Sequence, residues 1–264
     1  MLYKIYPIYN GSFLVRFGEK SPFKDINIPS FVFLLIGEDN EKILVDTGFA
    51  PDYIPGINST YSRQPQEELA HALLELNTYP DEIKTIIFTH LHWDHTGGIN
   101  LFPKAQFYVQ SRELLSLIDI NPNEECSFNT SRWINYLDNF VLLDGHHEFR
   151  PGINLLSSGK HTQGHQVVEV KTKSGQVILG GDLPFVYDKL WEWLSGENWD
   201  DFRSTADPKF FWSKNIREIL QTKLVNEQKN SPINSPVMTL ASIKSRADIF
   251  ITSHDPKLRK IDCI

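Results

Sequence analysis

Cysteine is scarce in this chain: its 264 residues include two, Cys126 and Cys263. They lie far apart and beside no cluster of metal-ligating side chains. Neither a disulfide framework nor a thiolate metal site is expected, and reduced thiols in a cytoplasmic protein are. Long apolar runs are missing too. No stretch of about 18 apolar residues occurs, so no membrane-spanning helix is expected. Met1-Leu2-Tyr3-Lys4-Ile5-Tyr6 lacks the charged start and apolar core of a secretory leader. Blocks of basic residues are also absent. The formal charge is -7, from 33 acidic and 26 basic residues, a poor basis for binding nucleic acid. With 41% hydrophobic and 22% charged residues, the composition is that of an ordinary globular protein. The length accommodates one large domain or two small ones.

What the chain does have is a concentration of metal-ligating side chains. Thr89-His90-Leu91-His92-Trp93-Asp94-His95-Thr96-Gly97-Gly98 packs three histidines and an aspartate into six residues. It follows the run 83–88, which is apolar, β-branched and aromatic and reads as a buried strand. At a strand's C-terminal end the chain leaves the sheet and side chains can converge on one point. Imidazole and carboxylate without thiolate suit Zn, Mn, Fe or Co. His90 and His92 are two apart and point the same way on extended backbone. Asp94 and His95 follow a turn and face a second position. Gly97-Gly98 lets the chain turn sharply away, with φ > 0 available.

Strands are expected at 2–10 and 12–17, joined by an Asn10-Gly11 hairpin turn. Further strands are expected at 30–37, 42–45, 83–88, 106–109, 140–144, 153–157, 166–172, 176–180 and 248–251. Helical patterns cover 66–76, 111–118, 131–138, 209–226 and 239–246. The fourth offers Phe210, Phe211, Ile216, Ile219, Leu220 and Leu224 to a core. His146 and His147 read as a solvated turn after Asp144-Gly145, and Arg112 and Arg132 as surface residues. The aromatic run Tyr187, Trp191, Trp193 and Trp199 packs on the helix after it or walls an apolar pocket. No internal repeat or low-complexity linker occurs. Two groups of strands separated by helices suggest a layered α/β fold.

The stretch 89–98 resembles the His-x-His-x-Asp-His signature of the metallo-β-lactamase superfamily. Four other segments extend the likeness along most of the chain. They are Asp46-Thr47-Gly48, Lys160-His161-Thr162-Gln163-Gly164-His165-Gln166, the run 177–181 ending in Asp182, and Ser253-His254-Asp255. The resemblance implies one domain over residues 1–264, a four-layer αββα sandwich with metals at one sheet edge. It implies that Asp46 lies under the metal site and orients a ligand histidine. It makes His161 a ligand and His165 a loop support; Lys160 stands where the family often has glycine. Asp182, in isolation a turn aspartate, resembles the residue that bridges both metals. His254 resembles the C-terminal histidine of the same site.

On this resemblance His90, His92 and His161 hold one divalent ion and Asp94, His95 and His254 the other, with Asp182 joining them. Zn2+ is the expected metal, with Mn, Fe or Co as alternatives. Two ions roughly 3.5–4 Å apart share a hydroxide, lower its pKa towards neutrality and polarise the oxygen at the reacting centre. No serine or cysteine nucleophile is needed, and Asp94 is also a candidate proton acceptor. Among the branches, the motifs resemble the N-acyl homoserine lactonases most. That branch usually has a tyrosine three residues after the bridging aspartate. Here the position is Phe185 and the nearest tyrosine is Tyr187, which either takes the catalytic role or marks a different substrate.

The expected activity is therefore a metal-dependent hydrolase opening a lactone or related ester. Its partner is a small-molecule substrate, with no nucleic acid, no membrane, and a homodimer left open. A thioesterase resembling glyoxalase II and a phosphodiesterase are the alternatives within hydrolases. A non-catalytic metal-binding scaffold or sensor is the alternative from another class. A β-lactamase proper is disfavoured by the bridging Asp182. A flavo-diiron oxidoreductase is disfavoured by His92, where those proteins use Glu.

Overall fold

The apolar runs become the strands of two sheets. In a computed structural model that describes residues 1–15, 25–55, 59–121, 124–183, 214–229 and 236–264, one sheet has seven strands. These are β1 (Tyr3–Val15), β2 (Ile26–Gly37), β3 (Lys42–Val45), β4 (Thr60–Ser62), β5 (Thr85–Ile87), β6 (Gln106–Gln110) and β7 (Phe140–Leu143), in the order β4-β1-β2-β3-β5-β6-β7. The other contains β8 (His147–Arg150), β9 (Ile153–Ser157), β10 (Gln166–Thr172), β11 (Gly175–Leu179) and β12 (Ile249–Ile251), in the order β12-β11-β10-β9-β8. The helices are α1 (Leu69–Glu75), α2 (Trp93–Thr96), α3 (Ser111–Ile118), α4 (Thr130–Trp133), α5 (Lys214–Asn226) and α6 (Leu240–Lys244).

Strand alternation builds the layers. On β2, Phe31, Phe33 and Leu35 point between the sheets and meet Leu155, Val168, Val170, Val177 and Leu179. Val32 and Leu34 point the other way, into a cluster with Leu69 and Leu73 of α1, Leu114 and Leu117 of α3, and Leu220 and Leu224 of α5. Burial on both faces explains why 30–37 is apolar almost throughout. Beyond the second sheet, Val167 and Ile178 pack on Ile243 of α6. The order helix, sheet, sheet, helix is the expected αββα sandwich.

Parallel pairing aligns the ends that matter. β3, β5, β6 and β7 run parallel. In the second sheet β9 and β11 are each antiparallel to β10, so they share a direction, and β12 is parallel to β11. Asp46 and the 89–98 stretch follow β3 and β5, while His161, Asp182 and His254 follow β9, β11 and β12. The sheets meet at these ends, where the Gln166 backbone N–H donates to Thr89 O at 2.9 Å and that of Phe31 to Ser253 O at 3.0 Å.

Several elements differ from the sequence reading. Asn10-Gly11 makes no hairpin. Residues on both sides of it pair with β2, and the register shift between Tyr9 and Ser12 marks a bulge in one long strand. Asn10 is instead an anchor: its Oδ1 accepts from Phe49 N and Arg63 Nη2, and its Nδ2 donates to Glu67 O. His147 opens β8, an unanticipated strand, and its Nε2 accepts from Asp144 N at 3.3 Å. The helical pattern at 66–76 splits into a 3-10 turn at Pro65–Glu67 and α1. That at 131–138 splits into α4 and a 3-10 stretch at Ile134–Asn139. Ile219 on α5 is exposed, whereas Leu220 and Leu224 are buried. Phe210 and Phe211 lie outside the described residues. No helix among the described residues is long and apolar enough to cross a membrane.

Candidate metal centre

Seven side chains from four separate turns converge. His90, His92, His161 and Asp182 form one group and Asp94, His95 and His254 a second, the ligand atoms within each lying within 4.8 Å of one another. Asp182 joins the groups. Its Oδ2 lies 3.2 Å from His161 Nε2, and its Oδ1 lies 3.2 Å from both His95 Nε2 and His254 Nε2. Asp94 Oδ2 stands 3.4 Å from His254 Nε2.

Neighbouring acceptors decide which ring nitrogen faces the centre. The Thr89 hydroxyl donates to Asp46 Oδ2 at 2.9 Å, so it accepts from His90 Nδ1 at 3.0 Å. His95 Nδ1 donates to Asp46 Oδ2 at 2.8 Å, and His254 Nδ1 donates to Pro29 O at 2.8 Å. In all three rings Nε2 is left pointing inward. Such partners orient a ligand histidine and fix its tautomer. Asp46 has left-handed backbone, φ 61°, and its Oδ1 also accepts from Thr89 N at 2.8 Å. His165 is no member of either group. It is buried, its Nδ1 lies 2.8 Å from Ser158 Oγ, and its Nε2 accepts from Asp182 N at 3.4 Å. It supports the turn that carries Asp182, as expected.

Gly97 and Gly98 serve differently from the sequence reading. Gly97 has helical dihedrals, φ -59° and ψ -36°, and Gly98 has φ -94°. Neither uses the left-handed region. Their role is close approach: Gly97 N donates to Gly48 O at 2.7 Å, and a Cβ on Gly97 would stand 2.3 Å from Ala50 N. The turn after α2 is thereby pressed onto the turn after β3.

The electrostatics favour positive charge at the centre. Burial, then neighbouring imidazoles, holds His90 and His92 well below the usual histidine range. Burial opposes charge on His95 as well, but Asp182, Asp46 and Asp94 outweigh it and hold this ring well above that range. His254 behaves likewise, pushed up to about 10 because Asp182 and Asp94 overcome its burial. Asp182 is held well below the carboxylate range: burial opposes this, and His254, His95 and His161 prevail.

The donor set fits a pair of divalent cations. His95 Nε2 and Asp182 Oδ1 are buried and make no hydrogen bond among the described residues. The nitrogens of His90 and His161 approach to 3.1 Å, and those of His161 and His92 to 3.0 Å. Acceptor lone pairs crowded this closely call for a shared positive partner. Nitrogen and oxygen donors without sulfur suit borderline ions such as zinc.

Of the other residues singled out, Tyr187, Phe185 and the tryptophans at 191, 193 and 199 lie outside the described residues. Arg132 pairs with Asp52, away from both groups. The sequence reading missed Glu113. This fully buried carboxylate on α3 accepts from Leu91 N, Thr162 Oγ1 and Gly164 N at 2.9, 2.7 and 3.0 Å. Burial pushes its pKa up against these bonds. The available signal was a charged residue beside Leu114 and Leu117 on the apolar side of α3.

The family model of the metallo-beta-lactamase superfamily matches residues 27–212. The chain belongs to the metallo-β-lactamase superfamily. Within it, the chain is 28% identical over 182 residues to N-acyl homoserine lactonase AiiA of Bacillus thuringiensis subsp. kurstaki, covering 64% of this chain and 70% of that one. It is 27% identical over 151 residues to N-acyl homoserine lactonase AiiB of Rhizobium rhizogenes, covering 51% of this chain and 54% of that one. Two solved structures share the fold. One is a B. thuringiensis AiiA variant with N-decanoyl-L-homoserine at its active site, with TM-score 0.66, 24% identity and coverage of 98% and 96%. The other is AidC, a dizinc quorum-quenching lactonase holding N-hexanoyl-L-homoserine as product, with TM-score 0.58, 16% identity and coverage of 99% and 89%.

Proposed function

We propose that this protein is a dinuclear metal hydrolase that opens a lactone ring, of the N-acyl homoserine lactone kind. The observation that carries the reading is the division of Asp182, one oxygen towards each donor group. His90, His92 and His161 are assigned to one ion, Asp94, His95 and His254 to the other, and Asp182 to both. Zinc is the assigned metal. When bound, such a pair supplies an activated water near neutral pH and polarises the substrate carbonyl.

The chain's own residues do the rest. Asp46 and Thr89 hold His95 and His90 in the tautomers that present Nε2. Asp94 is assigned to accept the proton released as water attacks. Aromatic rings stand beside the donors: Phe128 lies 4.7 Å from the His92 ring, and Phe13 lies 6.0 Å from His254 and 4.7 Å from Trp93. They are buried and pack behind the donors as apolar backing. The names of the relatives support the same substrate class.

Tyr187 is assigned the hydroxyl that meets the substrate carbonyl or leaving group, on sequence position alone. Residues 1–264 are read as one domain, since Ile5 and Ile264 exchange backbone hydrogen bonds of 3.0 and 2.9 Å. Cys126 and Cys263 form no disulfide, in keeping with the cytoplasm.

The test is a panel of N-acyl homoserine lactones, thioesters, phosphodiesters and β-lactams with zinc-loaded protein. Ring-opened acyl homoserine should form fastest, and Tyr187→Phe should lower kcat. Preferred turnover of a thioester or phosphodiester, or turnover of no member, would overturn the lactonase assignment.

A further inference from the structure

We propose that Glu113 is a positioning residue that sets the geometry of the His90–His92–His161 metal position, an inference that rests on reading this cluster as a metal centre. Glu113 belongs to α3 and contributes no donor to either group. Its Oε1 accepts from Leu91 N, the residue between His90 and His92. Its Oε2 accepts from Thr162 Oγ1 and Gly164 N, in the turn that begins at His161. One carboxylate therefore clamps together the two turns that carry all three histidines of this position.

Two further observations show what the clamp holds. His161 has φ 73°, a left-handed conformation that costs a non-glycine residue energy and persists only where its surroundings enforce it. The bonds from Thr162 and Gly164 fix the chain just after that residue. Gly164 also lies against the backbone of Glu113: a Cβ there would stand 2.2 Å from Glu113 N. The Gly164-His165 step is thus shaped to fit α3, not the metal directly. The position Asp94–His95–His254 receives no bond from Glu113. Its rings are held by Asp46 and Pro29.

The role is selective, and so is its test. Glutamine at 113 keeps one carbonyl oxygen but turns an NH2 towards donors. In chelator competition with Zn2+, wild-type protein should bind two ions. Glu113→Gln should bind one with unchanged affinity and the other about tenfold more weakly, the scale seen when a group supporting a ligand is lost. Co2+ absorption spectra of His161→Ala and His254→Ala mark which position is which, and the altered band should be that of the His161 position.

Two unchanged constants with only a lower Tm would reduce Glu113 to a packing role and overturn the proposal. A wild-type chain that binds no ion would instead overturn the metal-centre reading beneath it. Should Glu113→Gln fail to fold, Thr162→Val removes one of the three bonds. It should weaken the same position alone, by less than Glu113→Gln does, and an unchanged constant there would overturn the proposal.

Discussion

Asp46 and His95 are joined by a 2.8 Å hydrogen bond from Nδ1 to Oδ2, both side chains essentially sealed from solvent. The same carboxylate accepts from Thr89 N and Thr89 Oγ1. One aspartate after β3 thereby ties a candidate ligand of one metal position to the start of the loop that carries the other. Asp46→Asn should lower zinc affinity at the His95 position by about 10–100-fold. Stability should fall by about 3 kcal/mol, the scale of breaking a buried ion pair. Chelator competition and urea denaturation check the two effects separately.

The two metal positions should respond differently to pH. His90 and His92 are held below the ordinary range and are already neutral at pH 7. His95 and His254 are held above it, the latter up to about 10, so in the metal-free chain they carry protons that a cation must displace. Affinity at their position should therefore rise with pH between 6 and 8, by about tenfold per pH unit for each proton released. Affinity at the His90 position should change much less. Isothermal titration in buffers of different ionisation enthalpy counts the protons. Zero release at the second position would contradict this account.

Gly97→Ala probes the contact between the turns after β3 and α2. Its Cβ would stand 2.3 Å from the backbone of Phe49 and Ala50, with no flexible side chain to yield. A loss of about 1–3 kcal/mol is expected from overpacking alone. Because the turn carrying His95 would be pushed away from Asp46, activity should fall more than Tm implies. A variant with wild-type kcat would show that the contact does not shape the site.

Much of this was legible from local pattern. A layered α/β fold follows from two groups of apolar strands separated by helices, the four-layer order from family resemblance, and the metal loop from four imidazole and carboxylate ligands in one short turn. His161, Asp182 and His254 were singled out through family resemblance, because each alone is an ordinary turn residue. The bulge at Asn10 was not legible. The dipeptide has hairpin chemistry, and only distant partners, Phe49, Arg63 and Glu67, commit it to a straight path. β8 escaped notice because His147-Glu148-Phe149-Arg150 is short and polar, an edge strand held by pairing with β9. Glu113 escaped notice because its three bonds reach residues 22 to 51 positions away. The Gly97-Gly98 turn was located correctly but for another reason, close approach in place of φ > 0.

The central claim is that one carboxylate serves two metal ions. Its most direct test is the metal content of purified wild-type protein and of Asp182→Asn after dialysis against limiting chelator. The account predicts about two zinc ions per chain in the wild type, a marked loss in the variant, and collapse of lactone turnover in parallel. A wild-type chain holding a single ion, or an Asp182→Asn chain that keeps both with full activity, would contradict it.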